Sequence, residues 1–261
     1  RTVRLAKDFF QYVSIGAQDG SRSNPGHLYS FLQACQHLRV HRVRIADTVG
    51  ILNPISTYQL MQQVKNQFPD LRIEFHGHND FGMATANAIA ALQGGAECIS
   101  ATVNGLGERA GNAALEEVIM GYKHTVNPNI NYNTPVITRL CKYVTKASKR
   151  SLPASKPIVG NMALRHETGI HIKGILKNRK TYQPFEASEI GRREHPFIFG
   201  KHSGKAGLVD CLNEKTTADA ETIDAMLQFI KKTAEQKKRN LTHQELQNII
   251  GAFECESKVK K

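Results

Sequence analysis

Residues 71–82 read Leu-Arg-Ile-Glu-Phe-His-Gly-His-Asn-Asp-Phe-Gly, a short apolar run that ends in two histidines. Side chains alternate between the two faces of a β-strand, so residues two positions apart point the same way. The imidazole rings of His76 and His78 therefore converge if this run is a strand. Neutral imidazoles are common ligands of zinc and other divalent metals. The stretch predicts a buried strand that ends in either a metal-binding pair or a hydrogen-bonded pair of histidines.

The same order of a β-rich apolar run, a polar loop and a helix-like segment recurs along the first half of the chain. The predicted strands are residues 9–15, 42–46, 71–75 and 98–103. The predicted helices are residues 25–38, 54–67, 84–94 and 113–124. Asn24 and Asn53 each precede a proline at a helix start, so both are predicted N-caps. Successive βα units of this kind indicate a parallel α/β sheet.

Polar residues follow each predicted strand directly. They are Gln18-Asp19, Asp47-Thr48, His76 with His78, and residues 104–112. Four βα units amount to half of a (β/α)8 barrel, and in a barrel these positions meet at the C-terminal rim, where active sites lie. An open doubly wound sheet is the alternative, but it normally carries a Gly-x-Gly-x-x-Gly turn, which the sequence lacks. The sequence therefore favours half a barrel with a functional site at its rim.

The character of the sequence changes after about residue 134. Residues 134–148 are predicted to be helical, 152–160 to form a linker, and 166–204 to be rich in turns. Two further helices are predicted at residues 218–237 and 242–253. The predicted division is a half barrel over residues 1–133, a linker and helical subdomain over 134–255, and a basic tail over 256–261. The expected fold class is thus α/β, a half barrel followed by a small, mainly helical subdomain.

The composition of the 261 residues limits the classes of function. The net charge of +12 is spread along the chain, which favours solvated helix faces over a nucleic-acid interface. A basic surface also attracts anionic metabolites. The five cysteines are scattered without Cys-x-x-Cys spacing, so a disulfide scaffold is disfavoured and a reducing, cytoplasmic location is expected. No run approaches the roughly 18 apolar residues of a membrane span and no secretory leader is evident, so a membrane is not an expected partner. The distribution of the charge argues against a nucleic acid as a partner in the same way.

Two further stretches carry groups suited to chemistry. Residues 102–112 bring three glycines together with Glu108, Arg109 and Asn112, which offer an acceptor, a cation and an amide oxygen. Asn112 is alternatively the N-cap of the helix that follows. Residues 166–171 read His-Glu-Thr-Gly-Ile-His, and the second histidine comes one position too late for a His-Glu-x-x-His zinc helix. The alternative for this stretch is two surface histidines beside a turn.

Together these stretches resemble the acetyl-CoA-dependent Claisen-condensing synthases of the DRE-TIM metallolyase group, which include homocitrate and 2-isopropylmalate synthases. The resemblance extends from about residue 12 to residue 212. The matching pieces are residues 45–50, 75–84, 102–117, 156–160, 166–174 and 200–204. The wording of residues 102–118 and 181–192 looks most like the homocitrate synthases associated with nitrogen fixation.

The resemblance implies a role for six residues. His76, His78 and Asn112 match the family's metal-binding positions, and the implied cofactor is a divalent metal, namely Zn, Mn or Mg. Thr48 matches a residue that binds the carboxylate of a 2-oxo acid. His171 matches the histidine proposed as general base or its relay, usually in the site of a neighbouring subunit, with Glu108 as its partner.

The implied reaction is a metal-assisted Claisen condensation of acetyl-CoA with a 2-oxo acid. The leading expectation is 2-oxoglutarate as the acceptor, which gives homocitrate and CoA. Synthesis of 2-isopropylmalate, citramalate or citrate of the Re type remains open, as does a non-catalytic subunit of such an enzyme. Gln18 stands where the family usually has a glutamate, which puts a charged role at that position in doubt.

The resemblance also implies that the chain corresponds to strands 5–8 of the barrel. The family's first strand carries an Asp-Gly-Glu-Gln-like segment that supplies a third metal ligand, and the sequence contains no such segment. A half barrel leaves two parallel strand edges and its interior uncovered. The expected partner is therefore an N-terminal-half polypeptide, unless the chain is part of a longer one, within a homo-oligomer or hetero-oligomer.

Overall fold

The computed structural model describes residues 1–192, 197–213 and 219–259, which form two compact units. The first unit comprises residues 1–152 and 157–159, and the second comprises residues 153–156 and the described residues from 160 onward. The division falls about one helix later than the predicted boundary between residues 133 and 134, because that helix packs on the first unit.

The first unit alternates helices and strands along the chain. Its elements are α1 (Thr2–Phe9), β1 (Ser14–Ala17), α2 (Pro25–His37), β2 (Arg42–Asp47), α3 (Pro54–Gln67), β3 (Ile73–Gly77), α4 (Ala84–Gln93), β4 (Cys98–Ser100), α5 (Leu115–Thr125) and α6 (Ile137–Ser148). The strands form one sheet in the order β1-β2-β3-β4, and every pairing is parallel. The predicted succession of βα units is confirmed.

The core of the first unit lies between one face of this sheet and the helices. Its fully buried members include Val43, Ile45, Ile73 and Phe75 from the strands and Leu32 and Met61 from the helices. The strand register pairs Ala46 with His76 and Arg44 with Glu74. Because alternate residues of a strand point to opposite faces, these four lie on the face away from this core. The apolar periodicity of β3 thus sends His76 to the polar face.

Asparagine caps fix where α2 and α3 begin. The side chain of Asn24 accepts a hydrogen bond from Gly26 N at 2.9 Å. Asn53 Oδ1 accepts from Ser56 N at 3.0 Å, and Ser56 Oγ accepts from Asn53 N at 3.0 Å, which completes a capping box. Both predicted N-caps are confirmed. They set the lengths of the loops that leave the C-terminal ends of β1 and β2.

Two predicted strands differ from the observed ones. The run at residues 9–15 is mostly not a strand, because α1 occupies Thr2–Phe9 with Val3 packed on the core, and β1 begins only at Ser14. The strand predicted at 98–103 ends at Ser100. A short 3-10 turn follows at Val103–Gly105, where Asn104 takes a left-handed backbone with φ of 62°. Short apolar runs do not by themselves distinguish a strand from a helix.

Hydrogen bonds from Asn104 hold helix α6 against the first unit. The side-chain nitrogen of Asn104 donates to Cys141 O at 3.0 Å and to Thr145 Oγ1 at 3.2 Å. These bonds join the loop after β4 to a helix about 40 residues later in the chain. The helix predicted at residues 134–148 is confirmed, with a 3-10 turn at its start.

The second unit is mainly helical, as expected. Its helices are α7 (Gly169–Lys177), α8 (Lys205–Asn213), α9 (Ala220–Lys237) and α10 (His243–Val259). They enclose a separate core that includes Ile172, Leu208, Met226, Ile230 and Ile250. Helices α7 and α8 lie in or next to the stretch that the sequence presents as rich in turns. None of the helices in the described ranges has the length and apolar character needed to cross a membrane.

The last predicted segments are described in part. Residue 218, the predicted start of a helix, lies outside the described residues, and α9 begins at Ala220. The predicted basic tail at 256–261 overlaps α10, whose backbone is helical through Val259. Residues 260 and 261 lie outside the described residues.

Candidate active site at the carboxyl ends of the strands

The loops that follow the strands of the first unit carry most of the predicted site residues. Thr48 comes directly after β2, and its hydroxyl oxygen accepts a hydrogen bond from Asp19 N in the loop after β1 at 2.8 Å. A hydroxyl that accepts in this way still has its own proton to donate. Thr48 can therefore offer a hydrogen bond to the carboxylate of a ligand, as its predicted role requires.

The two histidines meet at the end of β3. His76 Nε2 and His78 Nε2 lie 3.3 Å apart, with the rings nearly perpendicular at 83°. Two ligands of a tetrahedral zinc ion, each about 2.0–2.1 Å from the metal, would lie roughly 3.3 Å apart. His76 Nδ1 is 3.2 Å from Ser100 Oγ, which orients its ring from β4. The predicted convergence of the two imidazoles is present, at a separation that suits a shared metal ion.

Two buried polar atoms beside this pair lack partners. His78 Nδ1 and Asn112 Oδ1 are both buried without a hydrogen bond to any described residue. The two residues face each other across an isolated β-bridge. In a histidine and an asparagine with a purely structural role, such atoms would normally be hydrogen-bonded, because an unpaired buried polar group lowers the stability of the fold. The Nε2 atoms of the two histidines are within hydrogen-bonding distance of each other, so the geometry is compatible with both predicted alternatives, a metal-binding pair and a hydrogen-bonded pair.

The predicted alternative for Asn112, a helix cap, is wrong. Helix α5 begins at Leu115 with Ala114 as the preceding residue, and no side chain caps it. Asn112 instead donates weakly from Nδ2 to Leu106 O at 3.4 Å. Its position is set by the β-bridge and by Gly111, which has a φ of 92°. The amide oxygen is thus available as a ligand.

These donors fit a divalent metal in part. Two imidazole nitrogens and one amide oxygen are suitable ligands for Zn or Mn. Among the described residues no group of three histidine, cysteine, aspartate or glutamate side chains is arranged to hold a metal ion. The donors that the described residues bring to this point are thus two imidazoles and one amide oxygen.

The surroundings of His76 favour its neutral form. Burial lowers the pKa of His76, and the neighbouring His78 and Arg44 lower it further. A depressed pKa favours the neutral imidazole, which is the form that coordinates metals.

Asp47 has a structural role at this rim. Its side chain is fully buried, and its two carboxylate oxygens accept from Ile51 N at 3.2 Å and from Leu52 N at 3.0 Å. These bonds shape the loop after β2 and hold Thr48 in place. Gln18 is exposed at the start of the loop after β1.

The predicted catalytic residues lie in different units. Glu108 is exposed in the loop after β4 of the first unit. His171 is exposed in the first turn of α7 in the second unit, whereas His166 is partly buried. Of the two surface histidines in the alternative interpretation, only His171 is therefore at the surface. The pairing of Glu108 with His171 stays a prediction.

Sequence reasoning missed the aromatic partner of His171. The ring of Tyr182 lies 4.3 Å from the His171 ring, between centroids, at an angle of 34°. His166 lies 6.1 Å from His171 on the same measure, and burial lowers its pKa. The available signal is Gly174, since a Cβ there would lie 2.6 Å from the Tyr182 ring. A glycine one turn after a candidate base indicates that something packs closely at that point.

A family match covers the sheet that carries this site. Residues 1–144 match the HMGL-like family. The chain belongs to the HMGL-like family. Residues 158–238 match a second family, the homocitrate synthase post-HMGL domain-like family. The predicted family is therefore confirmed, while the nitrogen-fixation type is not resolved.

Individual relatives of this HMGL-like chain carry two different names. It is 42% identical over 259 residues to 2-isopropylmalate synthase 2 of Caldanaerobacter subterraneus subsp. tengcongensis, covering 99% of this chain and 67% of the relative. It is 38% identical over 249 residues to homocitrate synthase 1 of Nostoc sp., covering 95% of this chain and 66% of the relative. The chain thus spans about two thirds of the length of these curated relatives.

The fold is also shared with a solved structure. The hydroxymethylglutaryl-CoA lyase of Pseudomonas aeruginosa superposes with a TM-score of 0.51 at 20% identity, covering 57% of this chain and 54% of the lyase. At that identity the likeness shows the fold alone. The predicted fold class, a partial TIM barrel followed by a helical subdomain, is confirmed.

Proposed function

We propose that this chain carries the metal-binding and base-carrying part of an acyltransferase that condenses acetyl-CoA with a 2-oxo acid. The observation that carries the proposal is the 3.3 Å separation of His76 Nε2 and His78 Nε2 beside the unpaired Asn112 Oδ1. The names of the relatives, 2-isopropylmalate synthase and homocitrate synthase, support the same reaction class.

The rim residues bind and orient the 2-oxo acid in this proposal. His76, His78 and Asn112 would hold a divalent metal (Zn, Mn or Mg), which supplies a Lewis acid for the keto group when bound. The Thr48 hydroxyl donates a hydrogen bond to the substrate carboxylate. Because Asp19 N fixes that hydroxyl at 2.8 Å, the substrate binds in one orientation.

The second unit supplies the proton chemistry. His171, contributed to the site of a neighbouring subunit, takes a proton from the methyl carbon of acetyl-CoA directly or through a relay, with Glu108 of that subunit as its partner. The methyl carbon then forms a bond to the keto carbon as the π bond of the keto group breaks, and the keto oxygen takes up a proton equivalent to the one that was removed, which makes it a hydroxyl. Water hydrolyses the thioester, which releases CoA. Tyr182 packs against His171 and restricts the rotation of its ring.

The acceptor that we favour is 2-oxoglutarate, which makes the product homocitrate. The resemblance of residues 181–192 to homocitrate synthases of the nitrogen-fixation type supports this choice. The first relative, at 42% identity, is a 2-isopropylmalate synthase, so 2-oxoisovalerate is the second candidate. Assembly with an N-terminal barrel half, an oligomeric state and a cytoplasmic location remain part of the proposal.

The experiment measures CoA release by the full chain, alone and co-expressed with an N-terminal-half polypeptide, with 2-oxoglutarate, 2-oxoisovalerate, pyruvate and oxaloacetate. We expect turnover by the pair, fastest with 2-oxoglutarate. His171→Ala should lower the rate by about 10²–10⁴-fold, the usual contribution of a general base. His243→Ala, which removes an exposed histidine at the start of α10, is the matched control and should leave it unchanged.

One result would favour a non-catalytic subunit instead. If the assembled pair binds zinc normally but releases no CoA with any of the four acids, the enzymatic proposal is wrong. If turnover is fastest with 2-oxoisovalerate, the reaction class stands and the preferred acceptor is wrong.

A further inference from the structure

An arginine that the proposed chemistry does not use lies at the carboxyl ends of the strands. Arg109, in the loop after β4, donates from Nε to Asp80 Oδ1 at 2.8 Å and from Nη2 to Asp80 Oδ2 at 3.0 Å. The same Nη2 donates to Thr48 O at 2.7 Å. One guanidinium therefore joins the loops that follow β2, β3 and β4.

The partners of Arg109 are next to the proposed ligands. Asp80 follows His78 by two residues, and Thr48 is the proposed carboxylate-binding residue. Thr48 is in turn bonded to Asp19 N, so the connection reaches the loop after β1 as well. All four loops at the carboxyl ends of the strands are thus tied to one another through Arg109 and Thr48.

The backbone conformations of Arg109 and Gly50 allow the close contact between Arg109 and Asp80. Arg109 itself has a φ of 53°, a left-handed conformation that non-glycine residues rarely adopt. Gly50 has a φ of 67°, and a Cβ there would lie 2.7 Å from Asp80 Oδ2 and 3.0 Å from His78 O. The carboxylate of Asp80 is therefore seated against a position that only glycine fits. Such strain is retained where the surrounding structure requires it.

We propose that Arg109 is a positioning residue that fixes the distance between the metal-binding histidines and Thr48. This inference rests on the proposed metal site. The ion pair between Arg109 and Asp80 is partly exposed, since 43% of the Arg109 side chain and 25% of the Asp80 side chain are accessible to solvent. Exposed ion pairs contribute little to the free energy of folding. The effect of this pair therefore lies in the geometry of the rim. Lysine cannot replace the planar fork that reaches two residues at once.

The test measures Co²⁺ binding to the full chain by visible absorption, which reports both affinity and ligand geometry. Arg109→Met should lower the affinity about tenfold or more and change the spectrum, as expected when a residue that orients a ligand is lost. Removal of a positive charge near a cation would by itself raise the affinity. A decrease is therefore a signature of lost geometry. Arg109→Lys should fall between Arg109→Met and the unchanged chain.

Lys65→Met is the matched control at the opposite end of β3. Lys65 binds a carboxylate, Glu97, together with the carbonyl oxygens of Pro69 and Leu71, so the variant loses a comparable set of bonds away from the histidines. It should keep the Co²⁺ affinity within about twofold. Thermal unfolding of each variant verifies that it folds.

Two outcomes are separable. If His76→Ala abolishes Co²⁺ binding while Arg109→Met leaves both affinity and spectrum unchanged, the positioning role is wrong and the metal site stands. If His76→Ala binds Co²⁺ as well as the unchanged chain, the metal site is wrong and the positioning role falls with it.

Discussion

At each end of the four-stranded sheet a long cationic side chain joins neighbouring loops, but the two ends differ in how many of their buried polar atoms are hydrogen-bonded. At the start of β3, Lys65 Nζ bonds to Glu97 at 2.7 Å, and the other oxygen of Glu97 accepts from Ile73 N at 2.8 Å. At the end of β3, Arg109 binds Asp80 and the carbonyl of Thr48 in the same manner. Each end thus has one long cationic side chain that ties loops together.

The difference lies in the atoms next to these ties. The carboxylate oxygens of Glu97 are both bonded, whereas His78 Nδ1 and Asn112 Oδ1 are buried without partners among the described residues. Unpaired buried polar atoms are costly in a purely structural role, and their position at the carboxyl end of β3 supports the proposal that a ligand binds there. The predictions that follow test whether the carboxyl end is functional rather than structural.

The largest expected difference separates two neighbours in β3. Phe75 is fully buried in the core, so Phe75→Ala should lower the free energy of unfolding by about 3–5 kcal/mol. His76 lies on the opposite face and is only partly buried, so His76→Ala should cost less than about 1 kcal/mol. Urea unfolding of both variants measures this. Equal losses would make His76 a structural residue and would remove the contrast between the two ends.

A smaller loss is expected at the glycine beside Asp80. Gly50→Ala forces a Cβ into a φ of 67° and against Asp80 Oδ2, so it should cost about 1–3 kcal/mol. The same change at Gly251 in α10, where a Cβ meets nothing within 4 Å, should stabilise the protein by about 0.5–1 kcal/mol. Chemical unfolding that gave both variants the same sign would contradict the close seating of Asp80.

The cap of α3 should contribute less again. Asn53→Ala removes the capping-box acceptor of Ser56 N and should cost about 1 kcal/mol. Asn53→Asp retains an acceptor and serves as the control. We expect the melting temperature to fall for alanine and to be nearly unchanged for aspartate. A loss of metal binding in Asn53→Ala would mean that the loop after β2 depends on the cap more than on Arg109.

The smallest effect is the pH dependence from the second unit, where His166 Nε2 is also buried without a partner among the described residues. Burial, and next His171, lowers the pKa of His166 below its unfolded value near 6.5. The folded state therefore binds fewer protons than the unfolded state, so stability is complete above pH 6.5 and decreases as the pH falls through that value. His166→Gln should flatten this part of a plot of unfolding free energy against pH. An unchanged slope would assign the dependence to other groups.

Local features of the fold could be predicted from the sequence, and contacts between distant loops could not. Asn24 and Asn53 act on backbone groups within three residues, so their caps are visible in the sequence. The convergence of His76 and His78 follows from strand periodicity alone. The bond from Arg109 to Thr48 joins residues 61 positions apart, and no local pattern encodes it.

The same distinction explains the remaining differences. The assignment of α6 to the first unit depends on Asn104, whose left-handed backbone aims its side chain at a helix 37 residues later. Tyr182 follows a 3-10 turn at Arg179–Thr181 that comes after α7, so its contact with His171 depends on how the chain folds after that helix. The predicted start of β1 is too early because the apolar and aromatic residues between Phe9 and Val13 lead directly from the end of α1 into β1.

Zinc titration calorimetry of the full chain tests the central claim most directly. We predict one zinc ion per chain, with an affinity that falls at least about tenfold in both His76→Ala and His78→Ala. His37→Ala, which removes an exposed histidine from the last turn of α2, should bind as the unchanged chain does. Zinc binding that is unaffected by the loss of His76 and of His78 would contradict the account.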